Sequence, residues 1–453
     1  SVAAETSSRF GRETEGGIKL GGVCWGLFPS LQAGWLISSE DFFNPNGIEY
    51  LKLRAGIDWS GNDNISNNAA FSYFSNVQYS GQLMGIKLAN IENQAIQWET
   101  TRRINLGFDM QANDNRLRIT GDIFHNHTSN LLTLKQLSYL TGLDYYWCNG
   151  GAMNNTGATL NVTNRLISTK NWKWETGVSI GTYKNYITQL PDGTTFKSAK
   201  DGDLYGFTTD IYGATMLSAE GHSAGVFFGY ETDGVYATAA DVPTVNGEPI
   251  STQDVTTGIK TPFAAGDVKF VDQNGDNVIN LQDRVIIGNP NPDIYGNITS
   301  NLMYKNFSLS ATLNYSWGND VYNYQRSLIE SGSSFYNQTT AMTNRWRTEG
   351  DVTDVPRATY GDPKGNNRFS DRWIEDGSYI RLKDITLSYK VPVQASWLQG
   401  LTVWCAGTNL LTLTNYLGSD PEFSFSNNVL YQGIDNGLLG QSRSFQLGVK
   451  INL

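Results

Sequence analysis

The sequence predicts an all-β fold, an antiparallel transmembrane β-barrel wall carrying long loops. Three observations predict it. Apolar and polar residues alternate over strand-length runs, aromatic residues mark the ends of the apolar faces, and short connections alternate with long ones.

Composition narrows the class first. The 453 residues include 33 Lys+Arg and 43 Asp+Glu, a net charge of −10, which argues against a nucleic-acid binder with its basic face. Aromatics make up 12% of the chain, too many for disorder, and Gly, Asn, Ser, Thr and Tyr dominate where a helical protein would be rich in Ala, Glu, Lys and Leu. Cys24, Cys148 and Cys405 are too few and too scattered for a disulfide framework or a zinc site, and read as isolated thiols. No apolar run approaches the roughly 18 residues of a transmembrane helix. The opening Ser1-Val2-Ala3-Ala4-Glu5 lacks the charged and apolar regions of a signal peptide. Neither absence excludes a barrel, whose membrane signal is only alternation over about 10 residues.

The strands follow in order. In 51–60, Leu51, Leu53, Ala55, Ile57 and Trp59 share one face, opposite Lys52, Arg54, Gly56, Asp58 and Ser60. In 104–112 the apolar set is Ile104, Leu106, Phe108, Met110 and Ala112. Trp172, Trp174, Thr176, Val178 and Ile180 oppose Lys173, Glu175, Gly177, Ser179 and Gly181. In 307–316, Phe307, Leu309, Ala311, Leu313 and Tyr315 oppose a row of Ser, Thr and Asn. The chain closes on Phe445, Leu447, Val449, Ile451 and Leu453. These faces approach the about 9–11 residues a tilted membrane strand needs. Trp172 and Phe307 end them beside short turns, and Trp59 and Tyr315 beside long loops, as the two girdles of an outer-membrane barrel require.

Connection lengths alternate as well. Asn113-Asp114-Asn115, Ser168–Asn171, Lys305-Asn306 and Pro392–Gly400 are short, whereas 124–157, 181–295, 316–378 and 409–444 are long. This places the long loops on the extracellular side and the C-terminus on the periplasmic side of a bacterial outer membrane. A β-sandwich, whose apolar face is buried between two sheets, also alternates and stays open as the competing architecture. It has no reason to place every long loop on one side.

At several stretches the sequence resembles the C-terminal part of the SusC/RagA family of TonB-dependent outer-membrane transporters of Bacteroidetes. They are Asn93–Phe108 (NQAIQWETTRRINLGF), Gly225–Tyr236 (GVFFGYETDGVY), Gly266–Asp283 (GDVKFVDQNGDNVINLQD), Gly288–Asn323, Ser370–Tyr389 (SDRWIEDGSYIRLKDITLSY) and Leu410–Phe423 (LLTLTNYLGSDPEF). The resemblance covers nearly all of 1–453 and implies about half of a 22-stranded barrel. It also implies a plug and a TonB box N-terminal to residue 1, a SusD-like surface lipoprotein as lid, the TonB-ExbB-ExbD energising complex, and outer-membrane lipid around the wall. The implied activity is energised uptake of oligosaccharides or oligopeptides. The sequence departs from the family in ending on Leu453, where such barrels commonly end in an aromatic.

Within the long 181–295 loop, residues 272–283 have calcium-loop spacing. Asp272, Asn274, Asp276, Asn280 and Asp283 place side-chain oxygens at positions 1, 3, 5, 9 and 12, and Val278 offers its carbonyl at position 7. A hard cation wants six to eight oxygens around a tight turn, so Ca²⁺ is the expected ion. Gly275 precedes the usual glycine position, which Asn277 occupies, and Asp283 stands for the usual Glu. A metal-free Asn/Asp turn is the alternative. Tyr145, Tyr146 and Trp147 are candidates for stacking on sugar rings or for contact with the lid, against loop self-packing.

Two further patterns read as structure. Gly221-His222-Ser223-Ala224-Gly225 fits the serine-hydrolase elbow, but the following Val226–Tyr230 is strand-like where that elbow needs a helix. His125 and His127 share one face near a strand end, with no third ligand close in sequence. The expectation is therefore a transporter and not an enzyme. The competing readings are a secreted carbohydrate-binding β-sandwich with a structural calcium, and a glycoside hydrolase, for which no carboxylate pair stands out.

Overall fold

The computed structural model describes residues 1–10, 24–43, 45–79, 83–93, 95–137, 142–143, 145–393, 398–423, 425–426 and 428–452. Leu453 and part of the Pro392–Gly400 connection lie outside them. The predicted alternation becomes a sheet of twelve strands whose hydrogen-bonding order follows the chain. These are β1 (Val2–Thr6), β2 (Trp25–Leu36), β3 (Ile48–Asn62), β4 (Glu99–Ala112), β5 (Leu117–Ser129) and β6 (Ala152–Ser168). They continue as β7 (Trp172–Gln189), β8 (Ile294–Tyr304), β9 (Phe307–Trp317), β10 (Tyr379–Val391), β11 (Gly400–Thr414) and β12 (Ser444–Asn452).

The connections 37–47, 113–116, 169–171, 305–306 and 392–399 are short, and 63–98, 130–151, 190–293, 318–378 and 415–443 are long. Strand β7 runs to Gln189, well past the expected boundary at 181, with Lys184, Tyr186 and Thr188 exposed on one face and Tyr183, Asn185 and Ile187 less exposed on the other. The tight β4–β5 turn sets Asn113, Asp114 and Asn115 at φ 56°, 56° and 58°. Asn and Asp tolerate this left-handed conformation better than other side chains.

Two compact units divide the chain, Ser1–Val162 with Tyr183–Gly193, and Thr163–Thr182 with Thr194–Leu453. In the first, cross-strand partners place Leu31, Ile57 and Ile104 in one row and Trp35, Leu53, Phe108 and Gly121 in another. A Cβ on Gly121 would stand 2.5 Å from the Phe108 ring, so the ring lies over the bare backbone of its neighbour. In the second unit, Leu302, Leu309, Leu387, Cys405 and Leu447 form one row. Tyr304, Phe307, Tyr389, Val403 and Val449 form the next. Close ring pairs strengthen the short-turn end, Trp172–Tyr304 at 4.2 Å and Phe307–Tyr389 at 4.5 Å.

These apolar rows stand open. Leu447 is 87% exposed, Leu31 71% and Ile123 62%. A sandwich would bury this face under a second sheet, so that alternative is overturned. The core lies elsewhere. Among the described residues the largest fully buried side chains are Trp373, Phe10, Phe227, Phe228, Ile96, Met216, Leu217, Ile279, Ile434, Val268, Val285 and Val321, and none belongs to β1–β12. In the first unit, Phe10, Phe28, Ile65, Ile96 and Trp98 cluster, and Trp59 packs against them instead of joining a girdle. In the second, a five-stranded sheet of Thr194–Ser198, Gly202–Ile211, Ala214–Ala219, Val226–Tyr230 and Arg284–Gly288 carries the cores built on Phe227 and Phe228.

An arginine in the middle of the open face is therefore expected to be costly only if hydrocarbon covers that face. Ile385→Arg should lower folding stability in lipid vesicles by about 2–4 kcal/mol, whereas Thr386→Arg on the opposite face should cost less than about 1 kcal/mol. Equilibrium unfolding of the two variants in vesicles checks the difference.

Candidate functional site

Opposite the apolar rows lies a polar face built from the alternate residues of the same strands. In the first unit, Arg54 of β3 pairs with Asp109 of β4 (Nε to Oδ2, 2.8 Å) and with Asp122 of β5 (Nη1 to Oδ1, 3.0 Å). Gly107 makes this triad possible, because a Cβ there would stand 2.3 Å from Asp122 Oδ1 and 2.9 Å from the Arg54 guanidinium. In the second unit, Arg165 meets Glu175 at 3.6 Å on the same face.

A bulge at Lys383 in β10 shifts the register between Leu382 and Asp384. A bulge re-aims the side chains around it. Lys383 Nζ donates to Glu422 and Gln441, and the nearly buried Arg381 pairs with Asp420 and Glu422, so the 415–443 loop is tied to its strand through charge. Deeper in the loops, the wholly buried Asp267 accepts from Arg357 Nε at 2.9 Å and Nη2 at 3.1 Å and from Asn366 Nδ2 at 3.0 Å, with Lys364 at 3.3 Å. Burial, with the like charge of Arg326 beside it, brings Arg372 down to about 10, while its guanidinium lies over the Trp373 ring. Burial raises the Tyr236 and Tyr322 hydroxyls to about 12.

Residues 272–283 form a tight turn held by side-chain-to-backbone hydrogen bonds. Asp272 accepts from the N–H groups of Gly275 and Asn277, both at 2.7 Å, and Asp276 Oδ1 from that of Val278 at 2.8 Å. Asp283, wholly buried, joins the two ends by accepting from Gln273 at 3.0 Å and Asn280 at 2.7 Å. Asn274 and Asn280 accept from Asp276 and Gln282. Asn277 takes the left-handed conformation at φ 62°, as does Gly275 at 74°. Val278–Ile279 pairs in parallel with Ser251–Thr252. Burial raises the Asp283 carboxyl above the usual carboxylate range, and the charges of Asp272 and Asp276 add to the shift. Three carboxylates thus feel one another across the turn. Among the described residues no group of three His, Cys, Asp or Glu side chains is drawn together as a metal cluster.

Tyr145, Tyr146 and Trp147 lie on the strand Tyr145–Asn149, paired with Leu132–Gln136. Trp147 packs against the Phe10–Trp98 cluster, and its carbonyl accepts from Asn93 Nδ2 at 3.0 Å. His125 and His127 do share a face, bonded through Nδ1 to Thr156 and Asn154, both at 2.7 Å. The Gly221–Gly225 elbow joins two strands, Ala214–Ala219 and Val226–Tyr230, so it lacks the helix a nucleophile turn needs. Sequence reading missed the most exposed aromatics of the 318–378 loop, Phe335 at 92% with Tyr336 and Tyr360, the Phe335 and Tyr360 rings lying 5.1 Å apart. Their signal was only aromatic residues inside a long polar loop.

No family model matches the chain. Over 440 residues it is 31% identical to TonB-dependent receptor P3 of Formosa agariphila, an alignment covering 94% of this chain and 42% of the relative. It is 27% identical over 464 residues to TonB-dependent receptor SusC of Bacteroides thetaiotaomicron, covering 98% of this chain and 41% of that protein. Among solved structures, the RagAB peptide importer in its closed-closed state superposes with a TM-score of 0.77 at 22% identity, over 99% of this chain and 45% of that chain. The chain thus spans less than half the length of the relatives it matches.

The buried ion pair makes a separable prediction. Asp420→Ala leaves the buried Arg381 with Glu422 as its remaining charge partner and should cost about 3 kcal/mol. Hydrogen exchange should show protection lost first in 415–443, with the β3–β5 amides unchanged.

Proposed function

From a chain that is a SusC/RagA-like stretch of a TonB-dependent receptor, we propose an outer-membrane barrel wall through which TonB-driven import proceeds. The open apolar face of β1–β12, with a core built mainly from the loops, carries this reading. Such a surface suits hydrocarbon, because the N–H and C=O groups between neighbouring strands are paired in the ladder and the face presents mainly apolar side chains, while the outer edges of β1 and β12 have no partner strand among the described residues. The polar face with its Arg54–Asp109–Asp122 triad would line the interior. We propose no catalytic role for the chain, whose relatives are named as TonB-dependent receptors.

The cargo we propose is an oligosaccharide or oligopeptide, held by polar and aromatic groups of the long loops. These loops would face outward under a SusD-like lipoprotein lid, with the C-terminus periplasmic. Tyr145 and Tyr146 are proposed as substrate or lid contacts, whereas Trp147 packs against the Phe10–Trp98 cluster. Energy would come from the TonB-ExbB-ExbD complex through a plug.

For the 272–283 loop we propose Ca²⁺, with Asp272, Asn274, Asp276, Asn280 and Asp283 and the Val278 carbonyl as ligands. Two features support it: the turn is already wrapped, and the mutual repulsion of its carboxylates is what a divalent cation relieves. The ion would stiffen the long connection between β7 and β8.

Fractionation tests the main reading. The protein should sediment with outer membranes and need detergent for extraction, and uptake of its cargo should stop when TonB is deleted. A water-soluble monomer overturns the proposal. The calcium arm is read by terbium luminescence, which Asp272→Ala with Asp276→Ala should abolish. The pH dependence has a definite sign. Because the folded-state Asp283 carboxyl lies above its unfolded value, the cation-free loop should be best ordered in acid and lose protection as pH rises through that raised value. Calcium binds the ionised form, so its affinity should fall as pH drops through that raised value.

A further inference from the structure

The outward face of β4–β7 does not stay apolar to its end. On β4 it reads Phe108, Leu106 and Ile104 and then Arg102; on β5 Ile123 and then His125 and His127. On β6, Leu160 is followed towards the loops by Thr156 and Asn154, and on β7, Ile180 by Thr182, Lys184 and Tyr186.

Hydrogen bonds and register join these residues across the strands. Arg102 is the cross-strand partner of His127, whose Nδ1 bonds Asn154 Oδ1 at 2.7 Å, and Asn154 Nδ2 donates to the Tyr186 hydroxyl at 3.1 Å. In the adjoining row, Ile104 is the partner of His125, which bonds Thr156 at 2.7 Å. Arg102, Lys184 and Tyr186 are exposed. No carboxylate shares the outward positions of β4–β7. The acids of these strands belong to the other face, where Asp109 and Asp122 hold Arg54 and Glu175 meets Arg165. In a chain of net charge −10 this strip is basic and unneutralised.

We propose that this strip, Arg102, His125, His127 and Lys184 with Asn154 and Tyr186, binds a phosphate group of the lipid headgroups on the long-loop side. The proposal rests on the membrane reading above. The strip begins where the apolar face ends, which is the level at which lipid phosphates lie beside a barrel. Arginine and lysine supply charge there, and His, Asn and Tyr supply hydrogen bonds with little conformational freedom left to lose. The chemistry selects an anionic, phosphate-bearing lipid over a neutral one.

The test uses the full-length protein extracted from outer membranes and placed in nanodiscs with bis-phosphorylated lipid A or its dephosphorylated form. Native mass spectrometry after stepwise delipidation reads the lipid retained. Each basic group near the headgroups is worth roughly a fivefold preference, so the wild type should retain the phosphorylated form about thirtyfold better through Arg102 and Lys184. Arg102→Gln with Lys184→Gln should erase most of this preference while the protein still inserts. Arg103→Gln, on the opposite face beside Asp58, should leave it unchanged. Equal retention of both lipids by the wild type, or an undiminished preference in the double variant, overturns the lipid site and leaves the membrane reading standing. Failure of the wild type to insert overturns both.

Discussion

Backbone hydrogen bonding in a medium without water is the constraint on which this structure depends. An unpaired N–H or C=O in hydrocarbon costs several kcal/mol, so a wall exposed to lipid must be a ladder with few breaks. The register from β7 to β9 runs unbroken from Trp172 against Tyr304 to Ile294 against Trp317. The bulge at Lys383 sits near the loop end of β10, where side chains of the 415–443 loop meet the strand. A ladder of this length leaves the side chains one freedom, the choice of face. The period-2 pattern of the sequence expresses that choice.

The same constraint displaces the hydrophobic core. Because lipid tails cover the apolar faces as readily as a second sheet would, burying them against protein gains nothing, and the apolar residues that must escape water are those in the loops. Phe227, Met216, Trp373 and Ile434 accordingly make a protein interior of their own, assembled from segments far apart in sequence. Charge pairs tie the connecting segments down where apolar surface runs short. Asp267 collects Arg357, Lys364 and Asn366, and Arg326 holds Glu330 and Glu375. The loops are therefore small folded bodies, which is how connections as long as 190–293 avoid the entropy of free chain.

Strands were legible in the sequence because their signal is local. Alternation at Phe307–Tyr315 or Phe445–Ile451 needs no knowledge of a partner, and the Asn113–Asn115 turn announces itself through residues that accept positive φ. The Asn/Asp turn at 272–283 was legible for the same reason, as its Asx bonds all fall within a dozen residues. Trp59 was misplaced because its strand parity points outward, while the cluster that captures it comes from Phe10, Phe28 and Trp98, invisible to a local pattern. Trp147 was ambiguous for that reason too. Pairings such as Asp267 with Arg357, or Arg381 with Asp420, span loops with no periodicity, and nothing short of the fold could have matched them.

The two faces also differ in how they use charge, and this bears on where selectivity resides. On the polar face of β3–β7 several cations are partnered, Arg54 by Asp109 and Asp122, Arg103 by Asp58 and Arg165 by Glu175, while Lys52, Arg118 and Lys173 have no ion pair among the described residues. Wall charges neutralised by neighbours on the wall have little left with which to choose among polar solutes. On the proposed import reading, contact with cargo would fall more to exposed loop groups, among them the rings of Phe335, Tyr336 and Tyr360. Rings of this sort stack on the apolar faces of sugars and on peptide side chains alike. Their choice depends on how rigidly the surrounding loops hold them. On the proposed reading, the folded, ion-paired state of those loops would therefore bear on selectivity as well as on stability.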